Sequence, residues 1–398
     1  MYSIKLDTGK ILHIAENYGW YIDGNLAGDE DNSIYSSKLV RELDWYSYLR
    51  NYNIYVSANC NGKCLYCYQD AQEKRTIENL SFDDIKNYIN YIESINDART
   101  LPKSIELFGG EPLLRKDIHK ILDYILDRGY SVKIATNGTL PIIQSKAMLK
   151  YIKNSNIHFR ISLDGHTQEL HEKYRTKNTF YKIIDNIKYL VGNGAEISLK
   201  TIVTNHNFKY LKDILHYFKY DLGVKLWNYN ALYVLDSTIK NNIESTITHY
   251  TLVEELTKDE YKEYWDMFIQ TPLAQMLKSI YVKKIKKYRR TYLFLNYDKN
   301  LYLNDQLIFP EYSIGNSSCL DFEKMKMLVS EIEMNRKSCE NCFAKDYCFL
   351  GNYGELYNID KSLSTEFPTC DQLRKAVIHI MSLEEKGLHI LKTIYKIS

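Results

Sequence analysis

Between residues 51 and 235 the chain alternates short apolar, β-branched runs with longer amphipathic stretches. This alternation predicts a parallel sheet joined by crossover helices, which is an α/β fold. The predicted strands are 54–58, 104–108, 131–136, 157–163, 196–203 and 224–229. The predicted helices are 82–95, 117–128, 142–153, 181–192 and 208–221. Six such repeats are too few to close the eight-stranded barrel that this pattern forms at full length.

A cysteine triad follows the first predicted strand: Cys60, Cys64 and Cys67, spaced Cys-x3-Cys-x2-Cys. Loops at this end of parallel strands carry the active sites of such folds. Thiolates are the preferred ligands of iron–sulfur clusters. Three thiolates hold three irons of a [4Fe–4S] cluster and leave the fourth iron open for chemistry.

A structural zinc site and a disulfide are the two other interpretations of the triad. Structural zinc would need a fourth ligand nearby, and the nearest histidines in the sequence are His13 and His119. A disulfide is disfavoured because the N-terminal residues lack the apolar core of a secretory signal. Zinc therefore stays open as the alternative to a cluster.

The triad and the Gly-Gly-Glu-Pro sequence at 109–112 resemble the radical S-adenosylmethionine (SAM) superfamily. The resemblance implies a partial (β/α)6 TIM-like barrel with a [4Fe–4S] cluster on Cys60, Cys64 and Cys67. It also implies that the amino and carboxylate groups of SAM occupy the open iron. In that family, one-electron reduction of SAM gives a 5'-deoxyadenosyl radical, which abstracts a hydrogen atom from the substrate.

The same resemblance implies a set of SAM contacts. They are Tyr66, Gly109, Gly110, Glu111, Thr136, Asn137, Ser162, Asp164 and Arg175. We expect Glu111 at the ammonium of SAM, Arg175 at its carboxylate and Tyr66 at its adenine. Turns after strands often need Asn, Asp or Gly for conformational reasons, which is the alternative explanation for 136–137 and 162–164.

A second cysteine group lies near the C-terminus: Cys339, Cys342, Cys348 and Cys370. Its spacing resembles the second auxiliary cluster of the SPASM extension found in many radical SAM enzymes. The resemblance implies one auxiliary [4Fe–4S] cluster with four thiolate ligands, no open iron and a role in electron transfer. Zinc also accepts four thiolates and is the alternative.

The first auxiliary cluster of that extension is expected to be absent. Glu311 and Asn352 stand where the family has cysteine ligands. Cys319 is then left over, and we expect it to be buried and inert. A hydrogen-atom or thiol donor and a thioether-forming site are the alternatives.

Four segments are predicted. Residues 1–50, with strands 2–6, 11–15 and 20–22 and a helix 36–50, form a small β/α unit that is either a reduced leader-peptide-binding element or a cap on the barrel. Residues 51–235 form the barrel. Residues 236–306 are a mostly helical bridge, whose basic run 283–290 is either a solvated helix face or a dock for an acidic leader. Residues 307–398 form the auxiliary iron–sulfur domain with a C-terminal helix.

Composition limits the partners. The 52 Lys and Arg residues against 50 Asp and Glu give a net charge of +2, so a nucleic-acid partner is not expected. No apolar stretch has the length of a membrane helix, so we expect a cytoplasmic enzyme. The resemblance implies an external electron donor of the flavodoxin or ferredoxin type.

The expected function is modification of a ribosomally synthesised precursor peptide, by an oxidative carbon–carbon or thioether crosslink. The auxiliary cluster, which has no open iron, would accept electrons removed from the peptide. An anaerobic sulfatase-maturing, formylglycine-forming enzyme is the alternative, disfavoured because such relatives keep both auxiliary clusters and carry an Asp where this chain has Tyr312. Modification of a small molecule or of nucleic acid is a further alternative.

Overall fold

The computed structural model describes residues 2–14, 20–23, 51–69, 78–95, 104–233, 236–282, 293–305, 307–330, 341–344, 347 and 369–397. The expected helix 36–50 and basic run 283–290 lie outside these residues. So do Asn352 and two of the C-terminal cysteines, Cys339 and Cys348.

A mostly parallel eight-stranded sheet organises the chain, in the order β11-β10-β4-β5-β6-β7-β8-β9. Six consecutive parallel strands form its centre. They are β4 (Asn51–Ser57), β5 (Ser104–Gly109), β6 (Ser131–Thr136), β7 (Ile157–Ser162), β8 (Glu196–Val203) and β9 (Trp227–Ala231). The fold is therefore α/β with a partial, barrel-like core, as the sequence predicts.

Helices cover the apolar face of this sheet. In β6 and β7 every second residue is buried, and these residues share one core with the helices. The helices of the repeats are α1 (Phe82–Ile95), α2 (Ile118–Leu126), α3 (Leu149–Ile152), α4 (Gln168–His171), α5 (Phe180–Gly192) and α6 (Leu211–His216). Helix α2 buries Ile118, Ile121, Leu122 and Ile125, the spacing that places apolar side chains on one helix face.

Local hydrogen bonds explain where several elements begin. The Ser81 hydroxyl accepts the Asp84 N–H (3.1 Å), and the Asp84 carboxylate accepts the Ser81 N–H (2.9 Å). This reciprocal cap confirms the predicted start of α1.

Two predicted elements differ from the structure. The expected helix 142–153 is instead two 3₁₀ turns, Pro141–Gln144 and Lys146–Met148, followed by α3. Ser145 separates the turns because its hydroxyl caps the second one at the Met148 N–H. The last strand begins at Trp227 and not at 224. The reason is that the Val224 N–H still donates to the Phe218 carbonyl (2.9 Å), in the helical turn that follows α6.

The described residues of segment 236–306 contain α7 (Asp236–Lys240), α8 (His249–Leu256), a 3₁₀ helix (Asp259–Gln270) and α9 (Pro272–Tyr281). The segment also supplies two strands that the sequence did not predict. Strand β10 (Leu293–Leu295) pairs parallel with β4, and β11 (Leu301–Tyr302) pairs antiparallel with β10. Runs of two or three apolar residues are too short to show a strand period.

Smaller elements flank the sheet. The N-terminal strands β1 (Tyr2–Lys5), β2 (Ile11–Ile14) and β3 (Trp20–Ile22) form an antiparallel meander. The C-terminal part contains β12 (Gly315–Asn316), β13 (Cys319–Leu320), α10 (Phe322–Val329), α11 (Cys370–Ser382) and α12 (Glu385–Tyr395). The Tyr281 hydroxyl joins α9 to α11 by donating to the Ile380 carbonyl (2.8 Å). In the described residues, no helix combines the length and apolarity needed to cross a membrane.

Candidate iron–sulfur and SAM site

The cysteine loop leaves the C-terminal end of β4 and is braced by the segment after α4. The Lys63 N–H donates to the Thr176 hydroxyl (2.7 Å), and the Leu65 N–H donates to the Tyr174 carbonyl (2.8 Å). The Gly62 N–H points at the Cys60 sulfur (3.2 Å). The segment 174–176 therefore holds the middle of the cysteine loop in place.

All three cysteines of the loop are half-buried free thiols. Burial raises the pKa of Cys60 to about 12, with a smaller contribution from the negative charge of Glu111. Burial also raises the pKa of Cys64. Thiols in such a setting ionise when they bind a metal, which supplies the compensating positive charge.

Two consecutive glycines let the next loop approach the cysteines. A Cβ on Gly110 would lie 2.3 Å from the Asn59 carbonyl oxygen and 3.0 Å from the Cys60 Cβ. Gly109 has φ +138°, and a Cβ there would lie 2.3 Å from the Ser57 carbonyl oxygen. The sequence therefore needs glycine at both positions to bring 109–112 against the cysteine loop.

Glu111 follows these glycines and is fully buried. Its carboxylate accepts the Thr136 hydroxyl (2.8 Å), the Asn137 N–H (2.8 Å) and the Leu113 N–H (3.1 Å). Burial raises its pKa to about 7, although these hydrogen bonds oppose the effect. In this structure Glu111 ties the end of β5 to the end of β6, and its expected contact with the SAM ammonium stays a prediction.

Asn137 connects the end of β6 to the cysteine loop. Its Nδ2 donates to the Asn61 Oδ1 (2.8 Å) and lies 4.0 Å from the Cys60 sulfur. Its Oδ1 accepts the Thr139 hydroxyl (2.6 Å). The Asn61 amide donates in turn to the Thr139 hydroxyl (2.8 Å).

Asp164 and Arg175 form a buried bidentate ion pair at the end of β7. The Arg175 Nε and Nη2 donate to the two Asp164 oxygens at 2.7 and 3.1 Å. The Tyr66 hydroxyl also donates to this carboxylate, and the Arg175 guanidinium lies over the Tyr66 ring, 5.4 Å from its centroid. Three predicted SAM contacts are thus brought together, with Arg175 and Tyr66 both bound to Asp164.

A cavity of about 270 Å³ opens between the cysteine loop and these groups. It is lined by Asn61, Gly62, Cys64, Asn137, Thr139, Ser162, His171, Arg175, Thr176, Thr179 and Ile183. Of the predicted residues, Cys64, Asn137, Ser162 and Arg175 line it directly.

Some lining residues were missed by the sequence analysis. Asn61 and Thr139 each lie beside a predicted residue, and their positions between motif residues were the available signal. His171 accepts the Asp164 N–H at its Nδ1 (3.2 Å), and burial lowers its pKa to about 4. It is the last residue of α4 and lies four residues before the predicted Arg175, and this closeness in the sequence was the available signal.

The side chains present fit a cluster with three protein ligands. Within the described residues, no three His, Cys, Asp or Glu side chains converge on one point as the ligands of a single metal ion do. The ligands of a [4Fe–4S] cluster each bind a different iron and need no such convergence. Three half-buried thiols in one loop, with Cys64 lining the adjacent cavity, match that donor set.

Less of the C-terminal cysteine group is described. Cys342 and Cys370 are half-buried and pack against the main core. Glu311 lies in a 3₁₀ turn, Pro310–Tyr312. Cys319 is exposed in β13, so the expectation of a buried cysteine is wrong. Its short hairpin with β12 leaves the side chain on the outer surface.

Comparisons with known proteins agree with this geometry. Residues 54–218 match the radical SAM superfamily. The chain is 30% identical over 176 residues to the antilisterial bacteriocin subtilosin biosynthesis protein AlbA of Bacillus subtilis, covering 44% of this chain and 38% of AlbA. It is 34% identical over 182 residues to a cysteine-type anaerobic sulfatase-maturating enzyme of Clostridium novyi, covering 41% and 46%. It is 27% identical over 174 residues to the AdoMet-dependent heme synthase of Oleidesulfovibrio alaskensis, covering 44% and 43%.

Each of these matches spans less than half of the relative's own length. Solved structures extend the fold likeness further along this chain. Native anSMEcpe with bound AdoMet (SAM) superposes with a TM-score of 0.65 at 15% identity, covering 86% of this chain and 99% of that one. Streptococcus suis SuiB bound to precursor peptide SuiA gives 0.59 at 16% identity, covering 81% and 76%. The family match, the cysteine loop and the sheet agree that residues 54–218 form a radical SAM domain.

Proposed function

We propose that this radical SAM enzyme binds a [4Fe–4S] cluster on Cys60, Cys64 and Cys67, binds SAM in the adjacent cavity and modifies a precursor peptide. The observation that supports this proposal most is a loop with three free thiols next to a cavity. Cys64 of that loop and Arg175 line the cavity. When bound, the cluster and SAM together supply radical hydrogen abstraction. The protein supplies binding, orientation and exclusion of water.

Arg175 is well placed to orient an anionic group of SAM. The ion pair uses its Nε and Nη2, which leaves Nη1 to donate to a carboxylate in the cavity. Asp164 and the ring of Tyr66 hold the guanidinium in place. A preformed arginine loses little conformational freedom on binding, which favours affinity.

The inner face of the sheet supports a substrate site below the SAM cavity. Closed barrels usually fill this space with branched aliphatic side chains. Here β5 to β9 place charged and amide groups at inward positions. Glu106 pairs with Arg160, and the Lys200 ammonium contacts the Asn228 and Asn230 amide oxygens at 3.1 and 2.8 Å.

This polar lumen is half-buried, with side-chain exposures of 27% for Arg160 and 18% for Glu106. Buried charges without a ligand or solvent would be costly. The lumen is therefore suited to a polar substrate segment. A peptide fits this requirement because its backbone offers donors and acceptors along its whole length.

The comparisons favour a peptide as the substrate class. One relative is a subtilosin biosynthesis protein, and one fold neighbour was solved with a precursor peptide. We propose that the product is an oxidative crosslink, carbon–carbon or thioether. An external flavodoxin or ferredoxin would supply the one electron that cleaves SAM. One hydrogen atom of the peptide would go to the 5'-deoxyadenosyl radical, and the second electron would pass to the auxiliary cluster as a proton is released. Formylglycine formation is the second candidate, favoured by the sulfatase-maturating relative. A small-molecule substrate is the third, favoured by the heme synthase relative.

An auxiliary [4Fe–4S] cluster on Cys339, Cys342, Cys348 and Cys370 is part of the proposal. Cys370 is the first residue of α11, and Cys342 packs against the same core. A rigid helix and a packed core would fix the ligands, as a closed electron-transfer cluster needs.

The test is a reaction of the reduced, reconstituted enzyme with SAM and the short peptide encoded beside its gene. We expect 5'-deoxyadenosine and a peptide lighter by two hydrogens, detected by mass spectrometry. The Cys60→Ala variant is the control and should give neither product. A formylglycine-containing peptide, or a consumed small molecule with an unchanged peptide, would reject the crosslinking proposal.

A further inference from the structure

Tyr55 carries an unsatisfied hydroxyl in the interior of the sheet. The residue lies in β4, is fully buried, and its hydroxyl has no hydrogen-bond partner in the described part of the chain. Buried hydroxyls are nearly always paired, and an unpaired one calls for an explanation such as a bound group. The mechanism outlined above does not use this residue.

The hydroxyl lies within a cluster of rings on the inner face of the sheet. The ring centroids of Phe108, Phe294 and Tyr297 lie 5.8, 6.4 and 5.1 Å from that of Tyr55. Tyr302 belongs to the same buried cluster. Its hydroxyl, unlike that of Tyr55, is satisfied, because it donates to the Asp298 carboxylate at 2.7 Å.

Tyr55 and Cys60 pack on two consecutive glycines, Gly109 and Gly110. A Cβ on Gly109 would lie 3.1 Å from the Tyr55 Cδ1 and Cε1, and a Cβ on Gly110 would lie 3.0 Å from the Cys60 Cβ. The Tyr55 ring therefore packs on the glycine next to the one that contacts Cys60. Burial raises the pKa of Tyr55, and the nearby thiols of Cys67 and Cys60 raise it further.

We propose that the Tyr55 hydroxyl donates a hydrogen bond to a sulfur of the cluster held by Cys60, Cys64 and Cys67. The inference rests on the cluster assignment made under the proposed function. Hydrogen bonds to cluster and thiolate sulfurs are among the factors that set reduction potentials. A donor stabilises the more negative, reduced form, so Tyr55 raises the potential and makes the cluster easier to reduce.

The test compares three reconstituted enzymes: wild type, Tyr55→Phe and Tyr302→Phe. Each is titrated electrochemically while the paramagnetic signal that responds to SAM is recorded. At a fixed potential near the midpoint, the ratio of reduced to oxidised cluster in Tyr55→Phe should fall by about three- to tenfold. Tenfold corresponds to about 59 mV for a one-electron couple. Tyr302→Phe removes a hydroxyl from the same ring cluster and should leave the ratio unchanged.

Thermal unfolding of the cluster-free proteins gives a second readout. Tyr55→Phe should melt at the same or a higher temperature than wild type, because the lost hydroxyl has no protein partner. Tyr302→Phe should melt lower, because it loses the bond to Asp298. A lower melting temperature for Tyr55→Phe would mean that the hydroxyl is paired within the protein, which would overturn the inference.

An unchanged potential in Tyr55→Phe would also overturn the inference, because the hydroxyl would then bond to water and not to the cluster. If instead the three cysteines hold no cluster, wild type itself would show no iron signal that responds to SAM.

Discussion

At the scale of residues, Asp164 is where the polar contacts of the site meet. Its carboxylate accepts two bonds from Arg175, one from Tyr66 and one from the Ile202 N–H (2.9 Å). Its backbone carbonyl accepts the Asn207 amide (2.8 Å). The ends of β7 and β8 and the segment after α4 are thus joined through one side chain, so its loss should affect both stability and the cavity.

Replacing Asp164 by Asn should destabilise the protein strongly. The side chains of Arg175 and Asp164 are only 10% and 5% exposed, and removing one partner of a buried ion pair costs about 3–5 kcal/mol. Urea unfolding of the cluster-free protein measures this. Asp266→Asn is the matched control. The Lys219–Asp266 pair is exposed, so its loss should cost less than about 1 kcal/mol. Equal losses would contradict the central role of Asp164.

We expect the stability of the protein to depend on pH through His158, which lies on the inner face of β7. Burial lowers its pKa to about 4, with smaller contributions from the positive charges of Lys133 and Arg160. Its Nε2 is hydrogen-bonded to the Ser198 hydroxyl (2.7 Å). Between pH 6.5 and 4 the unfolded chain therefore binds a proton at this residue that the folded protein does not. Stability from this residue is present above pH 6.5 and is lost as the pH falls towards 4.

We expect His158→Gln to reduce the loss of unfolding free energy between pH 7 and pH 5 by about 2 kcal/mol. Urea unfolding at both pH values measures the difference. The exposed His216, replaced by Gln, is the comparison variant. The same pH dependence in His158→Gln and wild type would show that His158 is not held neutral by burial.

At the scale of elements, the residues of the candidate site lie in the turns after β4, β5, β6 and β7. Each turn is fixed by contacts with its neighbour: the glycines at 109 and 110 allow close approach, and Glu111 bonds to the end of β6. A substitution that disturbs one turn should therefore disturb the adjacent cysteine loop.

Gly110→Ala tests this dependence. Its Cβ would lie 2.3 Å from the Asn59 carbonyl oxygen, so the backbone must shift, at a cost of about 1–3 kcal/mol. We expect lower unfolding free energy and less cluster iron after reconstitution. Gly192→Ala at the end of α5 is the control, since a Cβ there has nothing within 4 Å. Full cluster loading in Gly110→Ala would show that the close approach is not needed.

The sequence predicted those elements whose pattern is local. The bounds of β6, β8 and α1 match the structure because alternation or capping marks them. Strands β10 and β11 were missed because the pairing of β10 with β4 and of β11 with β10, not a local pattern, makes them strands. At the site, the cysteines and glycines were recognisable by spacing. The bonds of Glu111 and Arg175 were not, because their partners come from other strands.

At the scale of the whole molecule, the C-terminal helices pack against the helices that follow the sheet. The Tyr281 hydroxyl donates to the Ile380 and Glu384 carbonyls (2.8 and 3.0 Å), and Thr257 contacts His379 (2.9 Å). The segment that follows Cys370 is thus joined to the rest of the chain by buried contacts. The auxiliary site would be held at a fixed position relative to that core.

Two clusters predict about seven to eight irons per chain after anaerobic reconstitution, since each cluster holds four. Cys370→Ala should reduce the content to about four irons and keep the signal that responds to SAM. Metal analysis by mass spectrometry measures both values. Four irons and one zinc in wild type would contradict the auxiliary-cluster proposal and leave the first cluster unaffected.

The central claim is that Cys60, Cys64 and Cys67 hold a [4Fe–4S] cluster whose open iron binds SAM. Electron paramagnetic resonance of the anaerobically reduced protein, with and without SAM, tests it most directly. We expect an iron–sulfur signal that changes when SAM is added, and loss of that response when the three cysteines are replaced by Ala. A reduced wild-type protein whose signal is absent, or is the same with and without SAM, would contradict the account.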